Sequence, residues 1–231
     1  DAGRRRDALR APGERGHPEG GRREGDQDAE RAQHASAGEN FQARIVILRP
    51  PMGYDAVFDK QKEECGVFGL WALGQLEEAA NYAYLGLHAL QHRGQESAGI
   101  VSTDGETLHV HREMGLVADV FTADVLAKLK GGSAIGHVRY STTGASHLKN
   151  AQPFAVQYAG GAVAVAHNGN LVNAEALRSE LEAAGSIFSA STDTEVIIHL
   201  IARARALGPP GSTEQLLGAI REALGRVAGA Y

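Results

Sequence analysis

Lys62-Glu63-Glu64-Cys65-Gly66-Val67-Phe68-Gly69 is the stretch on which the reading of this chain turns. Cys65 is the single cysteine among 231 residues. One thiol forms no intrachain disulfide and makes a poor metal site by itself, but it is a candidate nucleophile if partners exist elsewhere. The plain alternative is a small buried apolar residue, the commonest fate of a free cysteine. From Cys65 to Leu73 small and bulky apolar residues alternate, which predicts a buried strand opening on the thiol.

Downstream, Ala80, Ala83, Tyr84, Leu87 and Leu90 recur at helical spacing, predicting a helix over 79–92 that Gly94 ends. Residues 97–102 and 107–111 read as a hairpin around Thr103-Asp104-Gly105. His109 and His111 alternate on its second strand and are expected on the exposed face. A short helix is predicted over 122–129, with Thr122 as its N-cap. A strand over 133–140 leads into the polar turn Ser141-Thr142-Thr143-Gly144. Another, over 161–166, runs into His167-Asn168-Gly169-Asn170. Asn173 caps a helix to Ala184, with Leu177 and Leu181 inward. Ser191-Thr192-Asp193 opens a helix expected to reach Leu207. Ser212 and Gln215 form a capping-box pattern for a last helix ending near Gly225, and Val227 to Tyr231 reads as the start of a strand. Strands interrupted by helix pairs, without regular βαβ alternation, favour an α+β fold with antiparallel sheets.

Upstream of Cys65 the texture differs. Residues 1–40 hold one Leu and no Val, Ile or aromatic residue, too little apolar surface to offset the entropy of ordering. Their 8 Arg are matched by 9 acidic residues, so they make no basic nucleic-acid arm. The chain is therefore divided into a disordered or artefactual extension (1–51), a leader (52–64) beginning at Met52, and a domain (65–231). The net charge of −5 gives no reason to expect nucleic-acid or membrane partners, and one cysteine suits a reducing cytoplasm.

A cysteine that attacks a carbonyl needs a base, oxyanion donors and groups that hold the substrate. Asn168 offers a side-chain amide and Gly169 a closely approachable N–H; the alternative is an ordinary Asn-Gly turn. Arg139 could fork onto a carboxylate, or form a surface ion pair. Asp193 could hold an ammonium, or simply cap its helix. His137 and His167 lack the spacing of a metal pair and read as structural.

The runs Cys65-Gly66-Val67-Phe68-Gly69, Leu90-Gln91-His92-Arg93-Gly94-Gln95-Glu96-Ser97-Ala98-Gly99, Gly136-His137-Val138-Arg139-Tyr140-Ser141-Thr142, His167-Asn168-Gly169-Asn170 and Ser191-Thr192-Asp193-Thr194-Glu195 resemble, in order, those of the glutamine phosphoribosylpyrophosphate amidotransferase family. The resemblance spans about three quarters of the chain. It implies a four-layer αββα N-terminal-nucleophile hydrolase sandwich, C-terminally truncated because the final strands and the phosphoribosyltransferase domain are absent. The activity implied is glutamine hydrolysis that supplies ammonia for the conversion of phosphoribosyl pyrophosphate to 5-phosphoribosylamine, the first committed step of purine synthesis. The alternatives are the glutaminase domain of another amidotransferase of this type, such as glucosamine-6-phosphate synthase, or an inactive fragment. Gln91-His92-Arg93-Gly94-Gln95-Glu96 is closer to the purine enzyme.

By the same resemblance a leader is removed between Glu64 and Cys65. The freed α-amine, with a reference pKa of about 7.7–8.0 against about 8.5 for the thiol, can take the thiol proton. Cys65 is then the nucleophile and Asn168 and Gly169 the oxyanion donors. Arg139 and Thr142 hold the glutamine carboxylate and Asp193 its ammonium. The full-length enzyme is implied to be a cytoplasmic homotetramer using Mg2+ and, in cluster-bearing members, a 4Fe–4S cluster. The single thiol of this chain cannot provide four-cysteine ligation, and no metal site is expected in it.

Overall fold

The computed structural model describes residues 43–48, 65–72, 77–140, 147–205, 208–209 and 211–231. In chain order these form β1 (Ala43–Leu48), β2 (Gly66–Trp71), α1 (Ala79–Ala89), β3 (Ser97–Thr103), β4 (Leu108–Met114), α2 (Val117–Val120), α3 (Ala123–Leu126), β5 (Ser133–Arg139), β6 (Phe154–Tyr158), β7 (Gly161–His167), β8 (Asn170–Leu171), α4 (Ala174–Ala183), α5 (Asp193–Arg203), α6 (Thr213–Leu224) and β9 (Gly229–Ala230). Two 3-10 turns, Gln91–Arg93 and Leu148–Asn150, lie between them.

The first sheet has the order β2-β5-β3-β4 and is antiparallel throughout. The second has the order β1-β7-β6, and a two-stranded piece joins β8 to β9. The period of two in each strand sorts its side chains into two layers. Ala98, Ile100, Ala134 and Val138 face α1, packing with Ala79, Ala80, Ala83 and Leu87. Val101 and Ile135 face the other way, against Ala164 and Ala166 of β7. On the far side of β7, Val163 and Val165 meet α4, α5 and α6 through Leu177, Leu181, Val196, Ile197, Leu200, Ile201 and Leu216. The layers run helix, sheet, sheet, helices: the four-layer αββα sandwich. Each of the large side chains buried on α5 stabilises the fold by about 1.5–3 kcal/mol. Gly86 lets α1 press onto β2, since a Cβ there would come within 2.3 Å of the Phe68 ring.

Several local expectations need correction. Residues 43–48 fall inside the stretch assigned to a disordered extension over 1–51, yet they pair in parallel with β7, Ala43 opposite Ala162 and Leu48 opposite His167. Ile45-Val46-Ile47-Leu48 is β-forming sequence unlike residues 1–40. The helix expected over 122–129 is shorter, a single turn over Ala123–Leu126 whose N-cap is Thr122, with Oγ1 accepting from the Val125 N–H at 3.4 Å; a separate one-turn helix, Val117–Val120, precedes it. Asn173 holds the N-cap position but makes no side-chain cap; its side chain accepts from the Ala228 N–H and donates to the Arg226 carbonyl, stitching α4 to the segment before β9. The helix from Asp193 ends at Arg203, and 206–207 lie outside the described residues. His109 and His111 are half-buried, while Val110 between them is exposed. His111 meets the Phe121 ring edge-on at 5.6 Å. β6, missed in the sequence, forms a hairpin with β7.

Candidate active site

β5 and β7 end beside each other, and the described residues form a cleft of about 770 Å³ at those ends. Cys65, Arg139, Gly169 and Asp193 all line it. Residues 74 to 128 positions from Cys65 in sequence are thus brought beside it by the two sheets. Asn168, half-buried between the lining residues His167 and Gly169, is not itself on the wall in this conformation. Thr142 lies outside the described residues.

Cys65 immediately precedes β2, whose Gly66 pairs with Val138 of β5. That register carries the thiol to the end of β5. The sulfur accepts from the Tyr140 N–H at 3.5 Å and its S–H lies 3.6 Å from the Tyr140 carbonyl. Arg93 Nε donates to the Cys65 carbonyl at 3.2 Å. Burial pushes the thiol pKa up, against the opposing pull of the Tyr140 amide and the Arg139 charge. A half-buried, protonated thiol needs a base to become a nucleophile.

Arg139, the last residue of β5, is 6% exposed and donates through Nη1 to Glu96 at 2.6 Å. Sequence reasoning missed Glu96, although the register that pairs Ser97 with Arg139 puts the two residues at the same sheet end.

Asp193 opens α5, but its carboxylate does not cap that helix. Oδ2 accepts from the Leu171 N–H at 2.9 Å, and Oδ1 lies 3.6 Å from His167 Nδ1. Burial raises this carboxyl. The His167 hydrogen bond and charge, with the amides of Leu171 and Thr194, outweigh it and hold the pKa below the ordinary value. An ionised, partly buried carboxylate at a cleft wall can receive an ammonium group. The approach to it is fixed by Glu195, which accepts from the Ser189 N–H and Oγ–H at 2.8 Å and the Ala190 N–H at 2.7 Å. A Glu three residues after Thr192 is a capping-box signal, visible in the sequence but used here on the loop before the cap.

His137 and His167 are structural in geometry. His137 lies between the sheets, and its Nε2 sits 3.2 Å from the His167 carbonyl. Burial lowers its pKa to about 3. Gly169 is required by contact: a Cβ there would meet the Ala230 carbonyl oxygen at 2.2 Å. Among the described residues no group of three or more His, Cys, Asp or Glu side chains is arranged to hold a metal ion. No helix among them is long and apolar enough to cross a membrane.

Known proteins resemble this chain in sequence and fold. Residues 122–209 match the glutamine amidotransferase domain family. The amidophosphoribosyltransferase of Bacillus subtilis is 56% identical over 61% of this chain and 29% of its own length. That of Methanocaldococcus jannaschii is 47% identical over 72% of this chain and 34% of its own length. Among solved structures, the glutamine phosphoribosylpyrophosphate amidotransferase from B. subtilis complexed with ADP and GMP matches with a TM-score of 0.63 at 48% identity, over 71% of this chain and 33% of that one. The chain spans about a third of the length of these relatives.

Proposed function

We infer that this chain, which carries a glutamine amidotransferase domain similar to that of the amidophosphoribosyltransferases, hydrolyses glutamine and supplies the ammonia. In the whole protein that ammonia converts phosphoribosyl pyrophosphate to 5-phosphoribosylamine. The observation that carries the reading is one cleft lined by a half-buried thiol at a strand end, an arginine, a carboxylate and a glycine.

Removal of the residues before Cys65 frees its α-amine, which takes the thiol proton. The thiolate attacks the glutamine carboxamide carbon, forming a C–S bond. The tetrahedral oxyanion is received by the Gly169 N–H and the Asn168 side chain. The C–N bond breaks and the amine proton leaves with ammonia. Water then cleaves the thioester, releasing glutamate and restoring the thiol. Arg139, with Thr142, receives the glutamine carboxylate and Asp193 its ammonium, so both ends of the amino acid are charge-paired. Arg93 holds the Cys65 carbonyl and thereby the direction of its amine.

The whole protein is proposed to be a cytoplasmic homotetramer that uses Mg2+ in its phosphoribosyl-transferring part. The experiment is glutamate release by the full-length protein with phosphoribosyl pyrophosphate or fructose 6-phosphate as acceptor. Stimulation by the first supports the reading. Stimulation by the second assigns the domain to a glucosamine-6-phosphate synthase type of enzyme.

A further inference from the structure

Asn150-Ala151-Gln152 runs along the cleft between its recognition loops, and all three residues are buried. Asn150, fully buried, accepts from the Ser191 N–H at 3.1 Å through Oδ1 and donates through Nδ2 to Ser191 Oγ at 3.1 Å. Ser191 is two residues before Asp193. Gln152 treats the backbone of His167 as a partner strand would. Its Oε1 accepts from the His167 N–H at 2.8 Å and its Nε2 donates to the His167 carbonyl at 3.3 Å. His167 is the residue before Asn168 and Gly169. From the other sheet, Arg112 of β4 donates to the Ala151 carbonyl at 2.8 Å. Gly99 of β3 packs so closely that a Cβ would reach the Gln152 carbonyl oxygen at 2.1 Å. The segment is therefore fixed to the first sheet while its two amide side chains hold the two loops that carry the proposed oxyanion and ammonium groups.

We infer that Asn150 and Gln152 are positioning residues for glutamine hydrolysis, Asn150 acting through the Asp193 loop and Gln152 through the Asn168–Gly169 turn. This rests on the glutaminase reading above. The chemistry divides the two roles. A displaced Asp193 weakens binding of the substrate ammonium and is felt in KM. A displaced Asn168–Gly169 turn weakens stabilisation of the oxyanion and is felt in kcat.

The test is steady-state glutamine hydrolysis by the full-length protein carrying Asn150→Ala, Ser191→Ala or Gln152→Glu. Each is measured alone and combined with Asp193→Ala or Asn168→Ala. Loss of a hydrogen bond that aims a charged group is expected to raise KM about tenfold in Asn150→Ala, with kcat nearly unchanged. Ser191→Ala, at an exposed residue and without risk to the core, should move KM the same way by less. Gln152→Glu loses the donor to the His167 carbonyl and should lower kcat about tenfold, with KM nearly unchanged. Neither Asn150→Ala with Asp193→Ala nor Gln152→Glu with Asn168→Ala should exceed the loss from the second change alone. Fully additive effects, or equal effects of both positions on KM and kcat, overturn the inference. Absence of hydrolysis in the unsubstituted protein overturns the glutaminase reading itself, and the inference with it.

Discussion

Arg139 and Glu96 form an ion pair at 2.6 Å whose side chains are only 7% and 14% exposed. The Glu96 N–H also donates to the Arg139 carbonyl at 3.1 Å, so backbone and side chains are locked together. Removing one partner of such a pair leaves a buried charge uncompensated. Glu96→Ala is expected to destabilise the protein by about 3–5 kcal/mol, read as a lowered unfolding midpoint in denaturant. Arg139→Lys keeps the charge but loses the planar fork, and should raise the glutamine KM more than it lowers kcat. A fall in kcat at constant KM would move Arg139 from substrate binding to the chemical step.

The turn after β7 makes a different kind of prediction. Asn168→Ala removes one proposed oxyanion donor and should lower kcat by roughly 10²–10³, with a small effect on KM. Gly169→Ala should abolish hydrolysis for a steric reason, because the added Cβ would overlap the backbone carbonyl of Ala230, 2.2 Å away. Steady-state kinetics on both variants, beside their thermal unfolding, separates the two causes. Only Gly169→Ala should also weaken the fold.

Acid stability should depend on His137. Its folded pKa, about 3, lies below an unfolded value of about 6.5 because burial disfavours the charged ring. The unfolded chain therefore binds the extra proton between those values, and stability rises with pH across that window. The neutral ring's contribution is full above about pH 6.5 and is lost as pH falls toward 3. His137→Gln should flatten this dependence in denaturant titrations between pH 4 and 7. An unchanged slope would show that other groups carry the acid sensitivity.

Much of the fold could be read from local patterns. The helix over 79–89 and the hairpin at Asp104-Gly105 have strong signals: apolar residues at helical spacing, and an Asp-Gly turn. In the turn the Asp104 carboxylate accepts from the Glu106 and Thr107 N–H groups. The last helix is similar, with Ser212 Oγ accepting from the Gln215 N–H at 3.1 Å. What could not be read was pairing at a distance. β6 is short, and its placement depends on β7. β1 was hidden because the polar composition of 1–40 was carried too far forward. At the site, Cys65, Arg139, Gly169 and Asp193 were legible because each belongs to a run with a chemical use. Glu96, Asn150, Gln152 and Glu195 were not, because a residue that only holds another shows its purpose once the partner is in place.

The amine-as-base mechanism requires Cys65 to be the first residue of the active protein. N-terminal sequencing of purified, hydrolysing protein should therefore return Cys65-Gly66-Val67-Phe68-Gly69. Blocking cleavage by Glu64→Pro should leave an inactive precursor. Full activity with Glu64 still attached would require another base.

The most direct measurement is glutamate release by Cys65→Ser in the full-length protein, with ammonia-dependent synthesis of phosphoribosylamine followed in parallel. The expected result is loss of glutamine hydrolysis to background while the ammonia-dependent reaction survives, because free ammonia needs no thioester. Substantial glutamate release by a folded Cys65→Ser protein would place the nucleophile elsewhere and contradict the assignment of this cleft.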